Sequence, residues 1–158
     1  MRSHDISDPG IPTAAYVAEK LGLPSSPYDS VKILSNKDLF RSYLQKHQFN
    51  VPQSKGYATL EEAKAEIHTF KLPVMIKPVD SSGSRGVSKI DSIDFLPEKI
   101  EEALRFSRAK RFIIEEYIEK KGYQIGGECF FVKGEIKFVR LVNNHFQSNS
   151  TDLTMPVG

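Results

Sequence analysis

The sequence predicts an α/β (α+β) fold, and three observations indicate it. Short β-like runs alternate with helix-like stretches from residue 54 to residue 118, in the order β-α-β-β-α-β. Helical patterns precede this unit, and a β-hairpin pattern follows it. The composition, with 39% hydrophobic and 27% charged residues among 158, is that of a globular protein with room for one core. We therefore expect helices, then a small lobe with one sheet, then a hairpin.

Two helices are expected before residue 54. Apolar residues recur on one face of residues 13–21, and Gly22 stands where a C-terminal cap belongs. Residues 23–29, rich in proline and serine, predict a loop. A second helix is expected to begin at Ser35, with Asp38 as its capping partner.

The β-α-β-β-α-β unit has clear local signals. Ser54–Ala58 resembles a short strand, and Thr59 with Glu62 forms a capping box that begins a helix. The apolar run Val74–Pro78 predicts the next strand, and Val87–Ile90 predicts the strand after it.

The second half of the unit is followed by the hairpin. A helix is expected over residues 98–107, and the apolar run Phe112–Ile114 predicts the last strand of the unit. Residues 124–132 and 136–142 are typical of two paired strands, with Lys133-Gly134-Glu135 as their turn. The remaining residues, 143–158, are polar and aperiodic, which suggests that the chain is part of something larger.

The loop between the strands at 74–78 and 87–90 is the strongest functional signal. A loop rich in glycine and serine brings backbone N–H groups together without bulky side chains, as phosphate-binding loops do. Lys77 and Arg85 add positive charge at its two ends. The order of residues excludes a Walker A motif and a dinucleotide fingerprint. A hairpin loop without any ligand stays open as an alternative. The candidate loop residues are Ser81, Ser82, Gly83, Ser84, Arg85 and Gly86.

Composition excludes several other classes. One cysteine, Cys129, cannot form an intramolecular disulfide and gives no zinc-ligand spacing, so a buried inert thiol is expected. No run approaches a membrane span, and the first ten residues are too polar for a signal peptide, so a cytoplasmic protein is expected. The net charge of +2 arises from dispersed charges, which argues against nucleic-acid binding. An RNA-binding domain would fit the element order, but the basic, glycine-containing aromatic run of such domains is missing.

The acidic segment after Phe112–Ile114 can be interpreted in two ways. Glu115, Glu116, Tyr117 and Ile118 end a buried strand and precede a break at residues 120–122. They form either an exposed strand end or a hinge between two lobes.

Lys77 with its loop, the segment Ile113–Ile118 and the spacing between them resemble the ATP-grasp superfamily. The resemblance is nearest to the branch with biotin carboxylase, the carbamoyl-phosphate synthetase large chain and phosphoribosylglycinamide synthetase. It extends from about residue 33 to residue 136. It implies that residues 54–118 are the lid subdomain, that residues 1–53 are a helical linker with the first part of the large lobe, and that residues 119–158 begin the C-terminal subdomain.

The resemblance also assigns roles to residues. Lys37 would reach the ATP phosphates, and Lys77 would bridge the adenine and the α-phosphate. The loop 81–86 would be the mobile flap over the β- and γ-phosphates. Residues 115–118 would hold the adenine edge. Gln124 takes the position of the acidic residue that binds the ribose hydroxyls in relatives, with Glu128 as the other candidate.

The implied function is an ATP-dependent ligase that forms carbon–nitrogen bonds. It would activate a carboxylate as an acyl-phosphate with MgATP, and an amine would then attack. The magnesium ligands of the family lie beyond residue 158, so we expect the metal-binding residues outside this chain and no turnover by it alone. We also expect exposed apolar surface where the rest of the large lobe would pack, which favours a homodimer or partial disorder. A non-catalytic nucleotide-binding or assembly module stays open as an alternative.

Overall fold

The structure, a computed structural model, describes residues 10–144. Two compact units meet in the chain between Tyr117 and Ile118, and each is described by itself. In the described part, the helices are α1 (Ile11–Lys20), α2 (Tyr28–Ser35), α3 (Lys37–Lys46), α4 (Leu60–Glu66) and α5 (Leu96–Phe106). The strands are β1 (Ser54–Tyr57), β2 (Val74–Pro78), β3 (Ser88–Ile90), β4 (Phe112–Glu116), β5 (Gln124–Val132) and β6 (Glu135–Asn144).

The first unit contains a four-stranded sheet in the order β1–β4–β2–β3, in which each neighbouring pair is antiparallel. The strands β1 and β2 are therefore parallel to each other, with β4 inserted between them. This arrangement is a split β-α-β unit. It confirms the α+β fold class and the predicted order of the six elements.

The core lies between one face of the sheet and the helices α4 and α5. Side chains alternate along a strand, so Val74 and Ile76 of β2 are fully buried against these helices. A fully buried aliphatic or aromatic side chain contributes about 1.5–3 kcal/mol. Other fully buried core side chains come from both layers: Ala63, Ala103, Phe112 and Ile114. The alternate positions of β2, Met75 and Lys77, consequently belong to the opposite face.

Helix α3 packs on that opposite face, beside β1 and β4. Gly56 of β1 permits the close approach, because a Cβ there would lie 2.8 Å from the Cβ of Asp38. Asp38 is buried and forms an ion pair with Arg111, which precedes β4. Helix α3 is thus fixed to the sheet, and the side chains on its first turns lie next to Lys77.

Three details of the predicted helices were wrong. The helix predicted over residues 13–21 is α1, but it begins two residues earlier than predicted, at Ile11. Helix α2 was missed, because the prolines around it indicate a loop, although Pro27 directly before a helix is a start signal. Ser35 ends α2 instead of beginning the next helix. The residue before α3 is Asn36, which makes no side-chain capping bond.

The capping box at α4 is confirmed. The Oγ1 of Thr59 accepts a hydrogen bond from the backbone N–H of Glu62 at 3.2 Å, and the Glu62 carboxylate accepts one from the backbone N–H of Thr59. Both bonds satisfy N–H groups that the first turn of a helix leaves without partners.

The second unit, as far as residue 144, is the predicted hairpin β5–β6, with a register shift between Phe130 and Phe131. Cys129 is exposed, so the expectation of a buried thiol was wrong. Residues 118–144 contain no helix and no third strand, and most of the large apolar side chains of the hairpin are exposed.

Two other expectations concern the ends of the chain and the membrane. The predicted tail, residues 143–158, lies outside the described residues except for the last two residues of β6. Among residues 10–144, every helix is too short or too polar to cross a membrane.

Candidate functional site

The candidate site lies on the sheet face that carries Lys77, and at its centre is the carboxylate of Glu115. Residues Met75 and Glu115 are register partners on β2 and β4, so Glu115 and Lys77 share this face. The Glu115 side chain is only 2% exposed. Its Oε2 accepts a hydrogen bond from the Lys77 ammonium, and its Oε1 accepts one from Arg41 Nε at 2.7 Å. Both cations are about three-quarters buried.

These cations keep Glu115 ionised. Burial alone raises the pKa of a carboxyl group, but attraction and hydrogen bonds from Lys77 and Arg41 outweigh it. The pKa of Glu115 therefore lies below its ordinary value of 4.5. The residue is a fixed, charged acceptor at neutral pH.

Lys37 brings a third cation to this face from the first turn of α3. Its backbone N–H donates to the carbonyl oxygen of Val79 at 2.9 Å, which joins α3 to the end of β2. Its ammonium donates to the carbonyl oxygen of Ser81 at 2.6 Å. Burial, and next to it repulsion from Lys77, lower the pKa of Lys37 below 10.5, although Asp80 and Glu115 oppose the shift. Two ammonium groups that repel each other in a partly buried site are the arrangement that an anionic ligand would stabilise.

The loop 81–86, called the flap here, contains three left-handed residues in six. Gly83, Ser84 and Gly86 have φ values of 63°, 54° and 70°. Such turns direct successive N–H groups towards one side, as anion-binding nests do. The Oγ of Ser81 donates to the carbonyl oxygen of Arg85 at 3.2 Å, so the flap is closed on itself by a hydrogen bond from a side chain.

Both ends of the flap are anchored. Before it, the carboxylate of Asp80 accepts hydrogen bonds from Ser107 Oγ at 2.8 Å and from the backbone N–H of Ala109 at 2.9 Å. At its last residue, Gly86, the flap lies against Phe106 and Pro78. The middle of the flap is therefore the part that can move without breaking these contacts.

A cavity of about 750 Å³ adjoins the flap within the first unit. Its wall contains four cationic side chains and one carboxylate, together with apolar side chains from α1, α2 and α5. The charged residues are Lys37, Arg85, Arg105, Arg108 and Asp80. Asp80 and Arg108 form an ion pair at 3.7 Å, and Arg105 forms one with Glu101 at 2.6 Å. Positive charge still predominates, so the cavity favours anionic groups.

The remaining predicted site residues follow Glu115 along the chain. Glu116 is exposed, and its backbone N–H donates to the carbonyl oxygen of Gln53, the residue before β1. The ring of Tyr117 lies under the Lys89 ammonium, 4.1 Å from the ring centre. Ile118 begins the second unit, and Gln124 and Glu128 lie on β5 of that unit with exposed side chains.

The structure therefore brings together Lys37, Lys77, Glu115 and the flap. Sequence reasoning missed Arg41 and Asp80. Arg41 could have been found from its spacing, because it follows Lys37 by four residues and therefore lies on the same side of a helix. Among residues 10–144, no group of three His, Cys, Asp or Glu side chains could hold a metal ion.

Comparisons with known proteins identify the family. The family described as D-ala D-ala ligase C-terminus matches residues 41–138, more than half of the chain. The chain belongs to this family of the ATP-grasp superfamily. The superfamily prediction is confirmed, although the D-alanine ligases were not among the relatives that the sequence suggested.

Individual relatives agree with this assignment. The carbamoyl phosphate synthase large chain of Thermoanaerobacter sp. (strain X514) is 22% identical over 137 residues, which cover 84% of this chain and 13% of the relative. The α-aminoadipate–LysW ligase LysX of Saccharolobus solfataricus is 28% identical over 145 residues, 86% of this chain and 50% of the relative. The L-amino acid ligase of Bacillus licheniformis has a TM-score of 0.63 at 25% identity, over 83% of this chain and 29% of that structure. The chain thus spans half or less of each of these relatives.

Proposed function

We propose that the chain is the ATP-binding part of an ATP-grasp ligase, with the phosphates of ATP held by Lys37, Lys77 and the flap. The observation that carries the proposal is the 2.6 Å bond from the Lys37 ammonium to the flap carbonyl of Ser81. This contact places a cation from α3 at a loop in which three of six residues have left-handed backbone. Lys77 lies close enough to lower the pKa of Lys37.

Charge is the reason to expect a polyanion in this site. Lys37, Lys77 and Arg41 contribute three positive charges, and Glu115 and Asp80 contribute two negative charges. Asp80 is also paired with Arg108. A triphosphate would relieve the repulsion between the two lysines, and lysine is a compact charge suited to phosphate oxygens. The residues present therefore fit the phosphate part of ATP.

The proposed adenine contacts lie at the end of β4. The carboxylate of Glu115 already accepts from two cations, and each of its oxygens has a second lone pair for a further donor. Glu116, Tyr117 and Ile118 would supply backbone donors and acceptors. The ribose assignment to Gln124 or Glu128 remains part of the proposal.

The reaction we propose for the whole protein is the activation of a carboxylate. A carboxylate oxygen attacks the γ-phosphorus of ATP, and ADP leaves. An amine then attacks the acyl-phosphate carbon, phosphate leaves, and the amine nitrogen loses a proton. In such transfers the protein mainly positions groups and stabilises charge. Lys37, Lys77 and the flap N–H groups would do this here, and bound magnesium would neutralise phosphate charge.

The test is ATP binding measured by isothermal titration calorimetry on the 158-residue chain. We expect Lys37→Met and Lys77→Met each to weaken binding about 10- to 100-fold, because a hydrogen bond to a charged group is worth about 1.5–3 kcal/mol. Lys55→Met is the matched control, because Lys55 lies on β1 of the same sheet and forms an exposed ion pair with Glu66 of α4. Equal affinities for all four proteins would refute the proposal.

Three further expectations accompany the proposal. The chain alone should release no ADP when ATP, magnesium and amino acids are supplied, and measurable turnover would contradict this. We expect a homodimer, which light scattering would detect. Location in the cytoplasm also stays a prediction.

A further inference from the structure

Arg41 forms an ion pair with Glu115, and the proposed nucleotide contacts give this pair no role. It lies on α3, four residues after Lys37, and reaches across to β4. Its Nε donates to Glu115 Oε1 at 2.7 Å, while Lys77 occupies the other carboxylate oxygen. The guanidinium is partly buried, with 27% of the side chain exposed.

The count of charges suggests what Arg41 does. A pair made of Lys77 and Glu115 alone would be neutral. A phosphate near Lys77 would then be repelled by the buried carboxylate as much as it is attracted by the ammonium. With Arg41 present, the group of three has a net positive charge. Arg41, on α3, balances the negative charge of the Glu115 carboxylate. The positive charge of Lys77 can then attract an anion.

We propose that Arg41 is a positioning residue that neutralises Glu115 and thereby keeps Lys77 effective as a phosphate-binding cation. The inference rests on the proposed function, because it assumes that Lys77 meets a phosphate. It assigns Arg41 an indirect role, through Glu115, and no contact with the nucleotide.

Arginine suits this role better than a neutral donor. An arginine side chain carries a delocalised positive charge, and its planar N–H groups match a carboxylate. A purely structural role, joining α3 to β4 by a hydrogen bond, would need a donor but no charge. Substitutions can separate the two roles.

The experiment uses inorganic tripolyphosphate as the probe, since it lacks adenine and is therefore insensitive to adenine contacts of Glu115. Binding is measured by calorimetry for the wild-type chain, Arg41→Gln and Arg41→Lys. Gln keeps a donor and loses the charge, whereas Lys keeps both. We expect Arg41→Gln to weaken binding about tenfold, within the range for losing one charged partner, and Arg41→Lys to stay within about threefold of wild type.

A double-mutant cycle with Glu115→Gln then tests the route through the carboxylate. If Arg41 acts by neutralising Glu115, Arg41→Gln should have little further effect once that charge is gone. Circular dichroism checks that each variant is folded. If Arg41→Gln is unfolded, tripolyphosphate binding by Arg41→Lys and by the wild type is compared at increasing salt concentrations instead. There, equal salt dependence of tripolyphosphate binding supports the inference, and a weaker salt dependence in Arg41→Lys overturns it.

The outcomes separate the inference from the proposed function. An equal loss of affinity from Arg41→Gln in both backgrounds would overturn the inference, because Arg41 would then bind phosphate directly or act through the fold. No loss from Arg41→Gln would overturn it as well, while ATP binding by the wild type would leave the proposed function standing. Absence of both ATP and tripolyphosphate binding by the wild type would refute the two together.

Discussion

The two glycines of the flap have the same backbone conformation but different surroundings, and this difference yields a quantitative prediction. Gly83 and Gly86 have φ values of 63° and 70°. A Cβ at Gly83 would have no atom within 4 Å. A Cβ at Gly86 would lie 2.8 Å from Phe106 Cδ2 and 3.0 Å from Pro78 Cγ. Substitution by alanine therefore separates backbone strain from steric overlap.

The expected magnitudes follow from these two terms. Left-handed backbone costs an L-residue about 1–2 kcal/mol, and this applies to Gly83→Ala and Gly86→Ala alike. Overlap in a packed region adds about 1–3 kcal/mol, and this applies to Gly86→Ala only. The ring of Pro78 is fully buried in the sheet and cannot move aside. We therefore expect Gly86→Ala to lower the free energy of unfolding by about 1–3 kcal/mol more than Gly83→Ala does.

Urea unfolding of the two variants, followed by far-ultraviolet circular dichroism, measures this difference. The midpoints are compared at equal slopes, because a changed slope would mean that the unfolded state or the two-state behaviour differs. Equal midpoints for Gly83→Ala and Gly86→Ala would refute the reasoning, since they would mean that the flap is not anchored against Phe106 and Pro78.

Three other predictions concern charge and capping. Lys37 has a pKa below 10.5, so we expect ATP affinity, measured by calorimetry, to fall as pH rises towards 10.5, and Lys37→Arg to remove the decline. Glu115 has a pKa below 4.5, so its stabilising contribution is complete above pH 4.5 and is lost as pH falls through the folded-state value. Breaking a buried ion pair costs about 3–5 kcal/mol, and the cations of Glu115 are partly hydrated. We therefore expect Glu115→Gln to lower the free energy of unfolding in urea at pH 7 by about 3 kcal/mol. The variant should also show a weaker dependence of stability on pH in the acid range. Thr59→Ala should cost about 1 kcal/mol in the same assay through the lost capping bond, and an unchanged midpoint would contradict it.

Local signals in the sequence were sufficient for most of the sheet. The strand Val74–Pro78 and the capping box at Thr59 depend on residues that are neighbours in the chain, and both were predicted. The same is true of the hairpin. Helix α2 was missed, because the residues that favour it are too few to outweigh the prolines before it.

The site could be predicted only in part, for a physical reason. Lys77 and the flap are adjacent in sequence, so one pattern reveals both. The contacts of Glu115 with Arg41 and of Asp80 with Ser107 join residues 74 and 27 positions apart. The spacing of Arg41 after Lys37 predicts only that both lie on the same side of a helix, whereas their partners depend on how α3 and α5 pack on the sheet. The exposure of Cys129 has a similar origin, because burial depends on which elements cover a strand.

The charge distribution of the site implies a conflict between stability and binding. Lys37 is held partly buried beside Lys77, and the lowered pKa of Lys37 means that its charged form is less favourable here than in water. Folding therefore bears a cost at Lys37 that a bound anion would reduce. A ligand that binds only the folded state stabilises it by mass action, by about 2.7 kcal/mol at a concentration 100 times its dissociation constant. The lowered pKa of Lys37 and the proposed anion binding thus share one cause, the placement of Lys37 in a partly buried position beside Lys77, because burial and repulsion disfavour the charged lysine and a bound anion would favour it.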